Sequence, residues 1–167
     1  MVITEYTSYD EIRQACGLSI KELTDAELGV ELYRNALQLK LREVTLPAAD
    51  PGPGPLDTRF LTIKAQEEAA RTLPAQKLYN LTRLFATYVV AYEVSMSLSM
   101  RAPKQVADGK RTLVRFSPES TYEISAANIK KQVEDLRQQI ESISSGTIIE
   151  MSFMTVVKPI PDVVTNT

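Results

Sequence analysis

The chain has 167 residues, 44% apolar and 24% charged, the balance of one soluble globular domain with a respectable core. A net charge of −2 excludes a global basic field for nucleic acid. The absence of histidine removes the commonest general base and metal ligand, and a single cysteine, Cys16, supports neither a disulfide framework nor a zinc site. The opening Met1-Val-Ile-Thr-Glu-Tyr6 has no basic segment followed by an apolar one, so no signal peptide is expected.

Ser8 with Glu11 has the form of a capping box, and Gly17 stands where a helix C-cap glycine would. Ile12, Ala15 and Cys16 give this short helix its apolar side. Thr24 and Glu27 repeat the box, and a longer helix is expected from there to about Val44. Leu28, Leu32, Ala36, Leu39 and Glu43 lie on one line of it, with Tyr33, Leu37 and Leu41 widening the stripe. Pro47 cannot continue it.

Residues 48–55, Ala-Ala-Asp-Pro-Gly-Pro-Gly-Pro, are read as an exposed loop, neither helix nor strand. The loop lacks the spacing of a phosphate-binding loop, and its prolines remove the amides that would hold phosphate. A third helix is expected from Asp57 or Thr58 to about Thr72.

The central helix is expected over residues 74–100. Pro74 suits a first turn, and Leu78, Leu81, Phe85, Tyr88 and Tyr92 recur at helical spacing. Between Leu84 and Met100 the single charge is Glu93, so this helix should be buried nearly all round. Its end alternates Val94, Met96, Leu98 and Met100 with Ser95, Ser97 and Ser99. That is strand period, but nothing breaks the preceding pattern and helix is favoured. Ser95, Ser97, Ser99 and Met100 then offer a small surface for close approach of another subunit. The segment is polar enough, and shorter than the ~20 apolar residues a membrane span needs, so no span is expected.

Residues 101–115 gather Arg101, Lys104, Lys110, Arg111 and Arg115 against Asp108, with an Asp108-Gly109 turn signal and a short extended piece over 112–116. The cluster reads either as a solvated basic loop or as a phosphate-facing surface, and no aromatic residue interleaves to stack bases. Ser125 is the expected N-cap of a last helix ending near Ser145 and Gly146. Its seam, Ile129, Val133, Leu136, Ile140 and Ile143, should pack on the central helix.

Residues 147–157 are rich in β-branched residues and read as a strand, followed by an extended end around Pro159 and Pro161. A single apolar strand needs a partner. It would pair in cis with residues 113–116 or complete a sheet in another subunit. The fold class expected is therefore mainly α: a bundle of about five helices over residues 1–146, with an extended C-terminal arm over 147–167.

Reaction chemistry is missing from the sequence. No nucleophile elbow occurs, Cys16 has no activating histidine, and the adjacent carboxylates Glu67-Glu68 and Glu134-Asp135 point about 100° apart on a helix. No enzyme activity, cofactor, metal or catalytic residue is expected.

The opening Tyr6-Thr-Ser-Tyr-Asp-Glu-Ile-Arg-Gln-Ala-Cys-Gly-Leu-Ser-Ile-Lys-Glu-Leu23, then Asp25-Ala-Glu-Leu28, resembles the start of head–tail connector (adaptor) proteins of tailed bacteriophages. There a Tyr-x-x-x-x-x-Ile-Arg helix leads through a leucine-then-acidic link to a second amphipathic helix. Ala107-Asp-Gly-Lys-Arg111, Arg115-Phe-Ser-Pro118, a late helix and an extended tail continue the likeness. The 48–55 loop and the 147–167 arm have no match in that pattern.

The resemblance implies a homo-oligomeric, typically dodecameric ring in the virion neck, assembled in the host cytoplasm. Such a ring docks on the portal protein, extends the DNA channel and presents a platform to downstream neck and tail proteins. Ile149, Met151, Phe153, Val156, Val157 and Ile160 would form the portal-docking arm. Lys104, Lys110, Arg111 and Arg115 would face packaged DNA, without sequence preference, or an acidic neighbour. The competing readings are a helical protein-interaction or regulatory module and a nucleic-acid-binding module.

Overall fold

A computed structural model describes residues 2–46, 54–101, 106–108, 111–113 and 118–144. It is mainly helical, as expected, with six α-helices and two small two-stranded sheets among the described residues.

Both capping boxes form. Helix α1 (Tyr9–Cys16) begins where the Ser8 hydroxyl accepts from the Glu11 amide and the Glu11 carboxylate accepts from the Ser8 amide, each at 3.2 Å. It ends at Gly17, whose φ of 69° lies in the left-handed region that only glycine adopts cheaply. A single 3-10 turn, Ile3–Glu5, precedes it and sinks Ile3 into the core.

The second box starts a helix of one turn only, α2 (Asp25–Leu28). Gly29 closes it, Val30 turns extended, and α3 (Glu31–Glu43) starts afresh. This corrects the expected continuous helix and also its inner face. In one straight helix Leu28 would bring Leu32 and Leu39 inward with it. The break at residues 29–30 uncouples the two helices, so Leu28 and the Tyr33–Leu37–Leu41 line are all buried. Leu32 and Leu39 are left 65% and 61% exposed.

After α3, β1 (Thr45–Leu46) pairs antiparallel with β2 (Gly54–Pro55), in the register Thr45 to Pro55 and Leu46 to Gly54. The last two residues of the expected loop are thus strand, since the Leu56 amide bonds back to Val44 O at 3.0 Å and closes the neck of the excursion. The rest of that loop, 48–53, lies outside the described residues. Helix α4 (Leu56–Lys64) stops well short of the expected Thr72, and a 3-10 turn over Glu68–Ala70 follows.

The physical reason is Arg71. Its guanidinium donates to Ile63 O at 3.1 Å, Gln66 O at 3.2 Å and Lys64 O at 3.4 Å, satisfying carbonyls that the helix end leaves without amides. The same guanidinium lies 4.5 Å over the Tyr79 ring. Tyr79 continues a column of rings, with Phe60 at 4.9 Å and Tyr6 a further 4.9 Å on.

Helix α5 (Leu73–Arg101) is the axis of the fold, 29 residues and thus ~43 Å long. Residues 94–100 continue it as helix. It contacts α1, α3 and α4, and most extensively the last helix. Phe85, Ala86, Val89, Val90, Ala91 and Val94 are all buried, as the nearly uncharged stretch implied. Between the long helices, β3 (Val106–Asp108) and β4 (Arg111–Leu113) form an antiparallel hairpin with Asp108 opposite Arg111. Leu113 therefore pairs with Val106 of the same hairpin.

The last helix, α6 (Pro118–Ser144), starts seven residues before the expected Ser125, which sits inside it. Proline fits the first helical position because no amide is needed there, and Glu119 follows at the favourable positive end. Its seam packs as read: Ile129, Leu136 and Ile140 are buried, and Val133 lies against the core. The arm over 147–167 lies outside the described residues.

Candidate functional site

The N-terminal motif has a specific geometry. Ile12 and Arg13 stand side by side on α1, and both are buried. Arg13 reaches across the link to α2: Nε donates to Leu23 O at 2.8 Å, Nη1 to Asp10 Oδ1 at 2.7 Å and Nη2 to the Asp25 carboxylate. An arginine is required because only its fork offers three donors in one plane. The Ile-Arg pair and the leucine-then-acidic link are thus two halves of one joint.

Helix α1 is fastened to α5 by polar groups that the sequence alone did not single out for this. The Thr7 and Thr87 hydroxyls lie 2.6 Å apart, and the Cys16 thiol donates to Ala91 O at 3.6 Å. Burial pushes the Cys16 thiol up to about 11, against a hydrogen bond from Ser95 that works the other way. An un-ionised thiol is a poor nucleophile. The signal available in sequence was Thr82, Thr87 and Ser95 in an otherwise apolar helix, polar groups that need partners once buried.

The serines expected to meet a neighbouring subunit are engaged at home. Ser95 is 3% exposed within the single chain, beside Cys16. Ser97 donates to Val94 O at 2.8 Å and lies 2.9 Å from the Tyr33 hydroxyl of α3. Small residues let α5 approach α1 and α3 rather than a second copy. Ser99 and Met100 occupy the last turn of α5, and their side chains lie outside what is described.

Of the basic group, Arg111 opens β4, while Lys104, Lys110 and Arg115 lie outside the described residues. The docking-arm residues Ile149, Met151, Phe153, Val156, Val157 and Ile160 lie outside them too.

One open groove of about 260 Å³ is lined by Glu5, Tyr6, Tyr9, Lys64, Tyr79 and Arg83 among others. Its cations are already matched: Lys64 donates to Glu5 O at 2.6 Å, and Arg83 pairs with Glu11. Burial works to raise the Glu11 carboxyl, but the Thr7 hydroxyl, the Ser8 amide and Arg83 together hold it below its ordinary value. The groove has no spare charge for an anion and no base beside Ser8. Among the described residues no cluster of acidic, cysteine or histidine side chains is placed to hold a metal ion, and no helix is long and apolar enough to cross a membrane.

No family model matches the chain, and no curated protein or solved structure matches it either.

Proposed function

We propose that the chain is a head–tail adaptor of a tailed bacteriophage, a structural virion protein without catalytic function. Copies form a ring, dodecameric in the pattern it resembles, on the portal protein in the virion neck, after synthesis in the host cytoplasm. The ring extends the DNA channel and offers a platform to the neck and tail proteins that follow.

The observation that carries this reading is the Arg13 joint. The two parts of the N-terminal motif that bear the resemblance, Ile12-Arg13 and Leu23 with Asp25, bind each other directly. Their separation in sequence therefore has a structural purpose and is more than shared texture. The basic hairpin between α5 and α6 supports it as well, because a ring lumen lined by such cations would let DNA pass by backbone contact alone.

Electron microscopy of the protein mixed with the portal encoded beside it tests the proposal. A closed ring of this chain on one end of the portal is expected. A one-to-one complex with a non-viral protein would replace the adaptor with an interaction module. Steeply salt-dependent DNA binding by the isolated chain, abolished by Lys110→Ala with Arg111→Ala, would favour a nucleic-acid-binding module instead.

A further inference from the structure

Helix α3 carries an unusual outer face. Leu32 and Leu39 stand two turns apart on one line, 65% and 61% exposed, with Ala36 between them and Glu43 one turn beyond. Other exposed leucines are scattered: Leu61 on α4, and Leu73 and Leu84 eleven positions apart on α5. A paired, aligned row of this kind is a surface to be covered.

We propose that the row Leu32–Ala36–Leu39 is covered in the free subunit by the chain's own residues 147–157. This goes beyond the adaptor reading and stands whether or not the same segment also meets a portal. Residues 147–157 hold Ile148, Ile149, Met151, Phe153, Met154, Val156 and Val157 with one charge, Glu150, so they need cover as much as α3 does.

The path is short. The C-terminal third of α6 lies beside the end of α3, where the Glu43 carboxylate acts on the Arg137 guanidinium. From Arg137 to the end of α6 at Ser144 is ~10 Å, and from Glu43 back to Leu32 is ~16 Å, at 1.5 Å per helical residue. About eight extended residues cover that sum at ~3.3 Å each. The chain continues from 145 to 167, ample for the turn and the run.

Entry at the Glu43 end sets the direction. The segment then runs toward Glu31, bringing Lys158 to that acidic end of α3, and Pro159 and Pro161 end the run there. A second copy could cover the same row, but tethering decides between them. A segment joined by a short linker acts at an effective concentration of the order of mM, well above the micromolar concentration of a free neighbour.

The full-length chain with Cys16→Ser tests this. Leu39→Cys is combined in turn with Met151→Cys, Phe153→Cys and Thr155→Cys, which share one face of an extended run, and each variant is mildly oxidised. An intrachain disulfide in at least one pair, with the protein still monomeric, is the expected result. A disulfide-linked dimer would hand the row to a second copy and overturn the proposal. Two free thiols that both react with maleimide yet never join would overturn it as well. In a second measurement, Leu32→Ser with Leu39→Ser should speed chymotrypsin cleavage at Phe153 about tenfold while leaving the urea midpoint in place. An unchanged rate contradicts the cover. None of these readouts involves the portal, so failure of the adaptor reading would leave them standing.

Discussion

The hydroxyls of Thr7 and Thr87 meet at 2.6 Å across the contact between the start of α1 and the middle of α5, eighty residues apart in sequence. Thr7 gives its hydrogen to the Glu11 carboxylate at 2.9 Å, so Thr87 is left to donate to Thr7 or to Arg83 O. The pair is therefore directional. Thr87→Val should cost about 0.5–1.5 kcal/mol, the net worth of one buried hydrogen bond. In a double-mutant cycle with Thr7→Val, read from urea midpoints, the two losses should fall short of additive. Strict additivity would mean that the hydroxyls do not act on each other.

Tyr6 predicts the alkaline limb of stability. Burial, then the fields of Asp57 and Glu5, push its phenol from 10.0 up to about 12. The folded state holds the neutral form, so its contribution is complete below pH 10 and is lost as pH rises from 10 to about 12. Tyr6→Phe should flatten the fall in stability over that window while leaving the profile at neutral pH nearly unchanged. An identical alkaline limb in the variant would remove Tyr6 as its cause.

Arg71 should be irreplaceable by lysine. An ammonium keeps the charge but cannot serve three carbonyls of the α4 end and stack flat on Tyr79 at once. Arg71→Lys should lose about 1–2 kcal/mol in urea unfolding. Wild-type stability in that variant would show that charge alone is enough.

Cys16 should be slow to modify. With its thiol pushed up to about 11, roughly one molecule in a thousand carries the thiolate at pH 8. An aromatic disulfide reagent should react far more slowly with the folded protein than with the protein in urea. Equal rates would place the thiol in water.

How much of this was legible depends on whether the deciding contact was local. Ser8 with Glu11 and Thr24 with Glu27 were readable because a capping box closes within four residues. The length of α5 and the seam of α6 were readable because one periodic face suffices to define them. The inner face of α3 was not. Leu32–Leu39 and Tyr33–Leu37–Leu41 both fit helical spacing, and the choice was made by the break at Gly29, which the sequence presents as one glycine among polar residues. The early stop of α4 was hidden for a related reason. Arg71 lies beyond the helix it caps, and the apolar Ala65, Ala69 and Ala70 mimic continuation. Ser95 and Ser97 were visible as small residues, but their partners Cys16 and Tyr33 lie 79 and 64 positions away.

The attachment of α1 to the middle of α5 also fixes when this protein can mature on a ribosome. Thr7 waits for Thr87 and Cys16 waits for Ala91, while Tyr6 finds its place in the ring column only once Phe60 has emerged. More than half of the polypeptide must leave the exit tunnel before the first helix has anything to bind. Until then the nascent amino terminus is a translation product without a home, and maturation is held back to the second half of synthesis.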